Sequence, residues 1–331
     1  MLLAFTLLPI LAILASAQAI TDCSVAEHMK VNSTVVNLTD NGCKTFWSEP
    51  CNKTEIITEL WLSNNKIETL NSNMFTCLKN LEKLYLQRNL ITNIQRNTFS
   101  GLTKLKQLYL NRNNIKTITP WAFDNCSLIT LSLEYNQLLD LPVFGRETDI
   151  RHLEMTGNPI KKLDVATLAM YTNLERLYIG ETNIAELPGL VFEKNKKLKE
   201  LYLKQNLITN IERNTFSGLT KLEKLNLNGN RIKTITPWAF DNCSLFTLSL
   251  GYNQLLELPV FGRETEITHL EMTGNPIKRL DVATLAMYTN LESLYIGETN
   301  IAELPGLVFE KNKKLENCKL YFHMRALRTR D

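Results

Sequence analysis

The chain has 331 residues and a formal net charge of +3, with 37 Lys and Arg against 34 Asp and Glu. Hydrophobic residues make up 44%, enough for a large buried core, and the length fits two ordinary domains or one long repeat array. Charges of both signs are interspersed, which argues against a dedicated nucleic-acid binder.

In chain order, an apolar run over Leu2–Leu14 is followed by Ala15, Ser16, Ala17, Gln18 and Ala19. This pattern predicts a signal peptide over residues 1–19, cleaved after Ala17 or Ala19. No second apolar run of membrane-spanning length follows. The charged C-terminus is unlike a GPI-anchor tail. The expectation is therefore a secreted, extracellular chain with no membrane span. Five N-glycosylation sequons agree with secretion: Asn32, Asn37, Asn52, Asn125 and Asn242. In the last two the middle residue is Cys, which lowers the expected occupancy.

Residues 20–56 precede the repeats and are expected to cap the first core layer. Cys23, Cys43 and Cys51 lie in this segment, and Cys77 closes the first repeat. A secreted solenoid needs such a cap, and disulfides among these four cysteines would staple it. Four cysteines allow three pairings, and spacing does not choose among them.

Over residues 57–314 the frame L-x-x-L-x-L-x-x-N-x-L/I-x-x-L/I fits eleven consecutive segments. They open at Ile57, Leu81, Leu105, Leu128, Ile150, Leu174, Leu198, Leu222, Leu245, Ile267 and Leu291. The L-x-L stretch alternates with period two and predicts a strand, its leucines inward and its x residues on an open face. One such unit cannot bury its leucines alone, so neighbours must stack into a continuous core. The recurring Asn just after the strand (Asn65, Asn89, Asn113, Asn136, Asn158, Asn206, Asn230, Asn253, Asn275) suits a buried structural role, bonding loop backbone between turns. Thr182 and Thr299 stand in that slot and can supply only part of the bonding.

The full pattern of Leu105-Lys106-Gln107-Leu108-Tyr109-Leu110-Asn111-Arg112-Asn113-Asn114-Ile115, with later phenylalanines Phe75, Phe99, Phe123, Phe192, Phe216, Phe240 and Phe309, resembles the extracellular leucine-rich-repeat superfamily. Its general shape resembles arthropod secreted immune proteins or Toll-like ectodomains. The resemblance covers residues 57 to about 320. It implies an α/β solenoid, a curved horseshoe with a concave parallel β-sheet and an irregular or short-helical convex side. The spacing of the N-terminal cysteines departs from the tight C-x-C cap of many vertebrate members.

A longer period overlies the first. Residues 81–197 match 198–314 at an offset of 117, with 100 of the 117 positions identical. Of the 17 differences, 13 fall at non-framework positions of the strand segment, which are only 30 of the 117 positions. They include Lys83/Glu200, Gln87/Lys204, Arg88/Gln205, Tyr109/Asn226, Arg112/Gly229, Asn114/Arg231 and Glu134/Gly251. Drift on an exposed surface would also have altered the polar outer loops, such as Glu193-Lys194-Asn195-Lys196-Lys197, and these are unchanged. The pattern favours alteration of the inner face for ligand contact.

The middle residue of each L-x-L strand forms a ladder: Trp61, Tyr85, Tyr109, Ser132, Glu154, Tyr178, Tyr202, Asn226, Ser249, Glu271, Tyr295. A solvent-facing aromatic ladder is either a protein-binding surface or a cross-strand stack that stabilises the sheet. The candidate ligand-binding residues are Trp61, Tyr85, Arg88, Tyr109, Arg112, Tyr178, Tyr202, Lys204 and Tyr295, with Lys83, Glu181 and Glu298 as flanking charges. His152 with Glu154, and His269 with Glu271, form H-x-E pairs on single strands. Each pair lacks a third ligand, and the two are roughly 25 Å apart at strand spacing, so a metal site is not expected. With no Ser/His/Asp elbow, phosphate loop or Cys-x-x-Cys pair, no catalytic residues, cofactor or enzymatic activity are expected.

Cys126 and Cys243 occupy a slot filled by Leu102 and Leu219 in neighbouring turns and read as buried free thiols. Cys318 stands at a framework leucine of an incomplete repeat over residues 315–331, either buried or paired with another chain. A basic tail follows, with Arg325, Arg328 and Arg330. An uncovered end would offer a site for homo- or hetero-dimerisation. The expected function is recognition of an extracellular protein or microbial ligand on the concave face, of innate-immunity type. The alternatives are a cell-adhesion, matrix or receptor-signalling scaffold.

Overall fold

A computed structural model describes residues 22–25, 27–28, 33–48, 51–145, 148–261 and 266–319. The signal-peptide segment, Asn32 and the basic tail lie outside the described residues, as do the side chains of Asn52 and Cys318. The chain forms two compact units, one running through Leu138 with Pro142–Glu154, the other comprising Leu139–Leu141 and Met155 onward.

In the first unit the strands Val35–Asn37, Glu59–Trp61, Lys83–Tyr85, Gln107–Tyr109, Thr130–Ser132 and His152–Glu154 pair in parallel and in chain order. In the second, Arg176–Tyr178, Glu200–Tyr202, Lys224–Asn226, Thr247–Ser249, His269–Glu271, Ser293–Tyr295 and Asn317–Lys319 do the same. The register places each framework leucine beside the next, as in Leu60, Leu84 and Leu108, all fully buried. Burying a leucine side chain is worth about 1.5–3 kcal/mol. A one-residue slip would turn the whole row to solvent, so the pairing is strongly specified.

Each strand is only three residues long because the turn after it is forced. The second residue beyond the framework leucine adopts a left-handed backbone in turn after turn: Arg88 (φ 56), Arg112 (φ 57), Tyr135 (φ 52), Gly157 (φ 75), then Glu181 (φ 51), Gln205 (φ 53), Gly229 (φ 68), Tyr252 (φ 54), Gly274 (φ 70) and Glu298 (φ 52). Non-glycine residues resist this conformation. It persists because at all but two of these corners, those of Glu181 and Glu298, an Asn follows and locks the turn. Asn113 donates through Nδ2 to the carbonyls of Leu86 (3.0 Å) and Leu110 (2.9 Å) and accepts at Oδ1 from the Ile91 amide (3.1 Å). Asn89, Asn206 and Asn230 repeat this geometry. Thr182 instead donates its hydroxyl to Asn206 Oδ1.

Opposite the sheet, phenylalanines form a second buried ladder. Phe46, Phe75, Phe99, Phe123 and Phe144 follow one another at 5.3–5.8 Å between ring centroids in the first unit. Phe192, Phe216, Phe240, Phe261 and Tyr288 do so at 4.8–6.1 Å in the second. The outer side is irregular, with a 3-10 turn at Ser72–Phe75 and short helices at Val165–Met170 and Val282–Ala286. Asp164 and Asp281 cap these helices, each accepting from the backbone N–H three residues on at 2.8 Å.

The N-terminal segment pairs Cys23 with Cys43 and Cys51 with Cys77. It also carries the first strand of the sheet, Val35–Asn37. Val36, Leu38 and Cys43 are buried there as framework residues. This partial turn escapes the repeat frame because Ser33 stands where the opening leucine belongs. Cys126 and Cys243 are free and buried.

Candidate binding face

The x positions of the strands share one face in each unit because strand side chains alternate. In the first unit the rings of Trp61 and Tyr85 stack at 3.8 Å with an interplanar angle of 16°, and Tyr85 and Tyr109 at 4.9 Å and 2°. In the second, Tyr178 and Tyr202 stack at 4.6 Å and 13°. All five rings are half-buried: their faces cover one another and their edges meet solvent. The stacking expected of a stabilising ladder is therefore present, and an amphipathic edge remains for contact. Tyr295 lies in the same row but is separated from Tyr202 by Asn226, Ser249 and Glu271.

The flanking charges are tied to neighbouring turns. Lys83 donates to Glu59 Oε1 at 2.7 Å, and this hydrogen bond raises its pKa. In the duplicated block the sign at that position is inverted. Glu200 receives Lys224 Nζ at 3.3 Å and the Tyr178 hydroxyl at 3.1 Å, with Arg176 Nε at 3.8 Å. Burial pushes the Glu200 carboxyl up, but the hydrogen bonds from Tyr178 and Lys224 outweigh it and leave its pKa lowered. Burial, then the bond to Glu200, pushes the Tyr178 phenol up to about 12. It is thus a proton donor at neutral pH. Lys204 pairs with Glu181 at 3.3 Å.

Arg88 and Arg112 sit on the left-handed corner beside the ladder, both exposed. Arg112 stacks its guanidinium 4.6 Å above the ring of Tyr135, the corner residue of the next turn. Tyr135 and its counterpart Tyr252 are part of the face that the ladder pattern overlooks. The signal for them is the eighth position of the frame, which the left-handed turn projects beside the strand. The Arg176–Glu200–Lys224 cluster is also invisible to a single-turn pattern, since its members come from three turns.

Among the sequon residues, Asn37 is exposed on the sheet face directly beside Trp61 in register. Asn125 and Asn242 are exposed on the outer side at φ 65 and 64. The His152 ring lies 3.5 Å from the Thr130 hydroxyl and the His269 ring 2.8 Å from that of Thr268. Among the described residues no cluster of three or more His, Cys, Asp or Glu is arranged to hold a metal ion. Among them, no helix is long and apolar enough to cross a membrane.

The sequence profile of the leucine rich repeat matches residues 34–91, 79–138, 172–232, 209–255 and 222–277. A curated relative, a probable glycoprotein hormone G-protein coupled receptor of Anthopleura elegantissima, is 38% identical over 94 residues. The match covers 28% of this chain and only 10% of that protein. Among solved structures, a Leptospira interrogans LRR protein superposes with a TM-score of 0.67 at 23% identity, covering 87% of this chain and 84% of the other. TLR13, solved in complex with ssRNA13, superposes with a TM-score of 0.66 at 24% identity, covering 84% of this chain and 46% of the other.

Proposed function

This chain belongs to the leucine-rich-repeat family, a protein-interaction scaffold, and from that premise we propose that its open sheet face binds an extracellular protein or microbial ligand. The observation that carries the reading is the pair of stacked aromatic ladders, Trp61–Tyr85–Tyr109 and Tyr178–Tyr202, half-exposed on otherwise polar sheet faces. Tyr and Trp on a rigid strand offer contact area at little conformational cost, which suits interface anchors. Arg88, Arg112, Lys204 and Tyr295 border these rings and would set partner choice. The chain acts in this reading as a binder with no catalytic step.

Two disulfides support an oxidising, extracellular setting. Secretion, and N-glycans at the exposed Asn37, Asn125 and Asn242, belong to the same reading. A glycan at Asn37 would border the Trp61 end of the face. Recognition of innate-immunity type is the reading we carry. A receptor-signalling role is its competitor, favoured by the local 38% identity to a hormone-receptor relative.

The test is capture of a partner from extracellular fluid by the intact chain, followed by its titration. Replacing Tyr85, Tyr109, Tyr178 and Tyr202 together by Ala should weaken binding by at least about tenfold, the scale of a lost hot spot. Unchanged affinity in a folded variant refutes the face as the binding surface.

A further inference from the structure

The two copies of the duplicated block differ in one arrangement that points to a ligand. The chain contains cation–π pairs on both its sides. On the outer side each copy keeps its pair: Arg96 lies 5.3 Å from the Trp121 ring, and Arg213 lies 5.2 Å from that of Trp238. On the sheet face, among the described residues, the pair occurs once. Arg112 covers Tyr135, but the equivalent of Arg112 is Gly229, and no cation–π pair among the described residues involves Tyr252. Tyr135 is 38% exposed and Tyr252 57%.

The rest of the surroundings changed in the same direction. Glu134, next to Tyr135, corresponds to Gly251, and the ring of Tyr109 corresponds to Asn226. Space therefore opens beside Tyr252 on the side of the preceding turn. Its other side is closed, since a Cβ on Gly274 would lie 2.5 Å from the ring. Two carboxylates of the following turns lie nearby, one at the ring's hydroxyl and one beside the backbone of Gly251. Glu298 Oε1 is 3.5 Å from the Tyr252 hydroxyl. Glu271 Oε1 would lie 3.3 Å from a Cβ on Gly251 and accepts from the Thr273 amide at 2.8 Å. Arg231, the cation gained nearby, is exposed and makes no ring contact with Tyr252 among the described residues. An exposed aromatic face with carboxylates nearby suits a guanidinium, which stacks on the ring while its N–H groups meet the acids.

We propose that the face of Tyr252, left uncovered by Gly229, with Glu298 at its hydroxyl and Glu271 beside the adjoining Gly251, is a binding site for an arginine side chain of a protein partner. The partner thus supplies in trans the group that Arg112 supplies in cis over Tyr135. The inference rests on the reading of this face as a protein-binding surface and names the chemistry of one contact on it. Arginine fits better than lysine because the flat cation can stack and donate at once.

The experiment is calorimetric titration of the intact chain with an acetylated tetra-arginine peptide, with tetra-lysine and tetra-citrulline peptides as controls. One equivalent of tetra-arginine should bind, tetra-lysine several-fold more weakly, and tetra-citrulline not measurably. Gly229→Arg places the cation back in cis on a corner whose backbone Arg112 already tolerates, and should weaken the probe at least tenfold. Tyr252→Ala should do the same. Circular dichroism and thermal unfolding verify that each variant is folded. Tetra-arginine binding indifferent to both Gly229→Arg and Tyr252→Ala overturns the proposal, as does equal binding of tetra-lysine, which would mark a diffuse acidic field. A captured partner that is lost on changing the four ladder tyrosines but is indifferent to Gly229→Arg keeps the binding-module reading and overturns this site alone.

Discussion

Replacing Asn113 by Ala removes three hydrogen bonds from the corner of one turn, and the structure sets the size of the effect. The amide side chain bonds the Leu86 and Leu110 carbonyls and the Ile91 N–H, at 3.0, 2.9 and 3.1 Å, and Asn113 is buried. A net worth of about 1 kcal/mol per bond gives about 3 kcal/mol, and more if the orphaned groups stay dry. Asn113→Thr should cost roughly half as much, because Thr182 holds the equivalent slot by donating to the next asparagine. Repeat arrays need not unfold in one step, so a local measurement is required beside the urea midpoint. Amide hydrogen exchange at Ile91 supplies it. A loss of about 3 kcal/mol corresponds to exchange on the order of a hundredfold faster where local opening controls exchange. Unchanged Ile91 exchange and an unchanged urea midpoint in Asn113→Ala would refute the view that the asparagine ladder holds the left-handed corners. A Thr variant as unstable as the Ala variant would refute the role assigned to Thr182.

Two further outcomes follow from the titrating groups. Burial, with Asp124 and Asp241 adding to it, pushes the thiols of Cys126 and Cys243 up to about 12, so both should resist a thiol-specific reagent at pH 8 in the folded chain and react only on denaturation; rapid labelling of the native protein would refute their burial. Glu200 has a folded pKa below its ordinary 4.5, so its contribution to stability is complete above that value and is lost as pH falls through the lower, folded one. Glu200→Gln should therefore flatten the acid side of the stability profile while leaving the profile above pH 6 parallel to that of the unaltered chain, as followed by thermal unfolding across pH.

Much of the fold was legible in the residues because it is local and repeated. A leucine at a framework position has the same neighbours in every turn, so Leu60, Leu84 and Leu108 announce their shared burial without knowledge of any long-range contact. The same holds for Asn89 and Asn113, whose partners lie at constant offsets. The aromatic rungs Tyr85 and Tyr109 could be placed on one face by period two alone. The first turn was harder. Val36, Leu38 and Cys43 fit the frame, but Ser33 breaks it, and only the pairing of Val35–Asn37 with Glu59–Trp61 restores the turn to the sheet.

The sequence by itself determined the solenoid of stacked turns, the buried asparagine ladder, and the row of aromatic residues on the open face. Tertiary structure alone decided which cysteines pair, that Glu200 gathers Tyr178, Lys224 and Arg176, and that Arg112 covers Tyr135 while Tyr252 stands open. The physical reason is that burial along a repeat is dictated by periodicity within one turn. Ion pairs, ring stacks and disulfides instead depend on where a side chain 20 or more residues away comes to rest, and a frame that describes each turn separately carries no information about that.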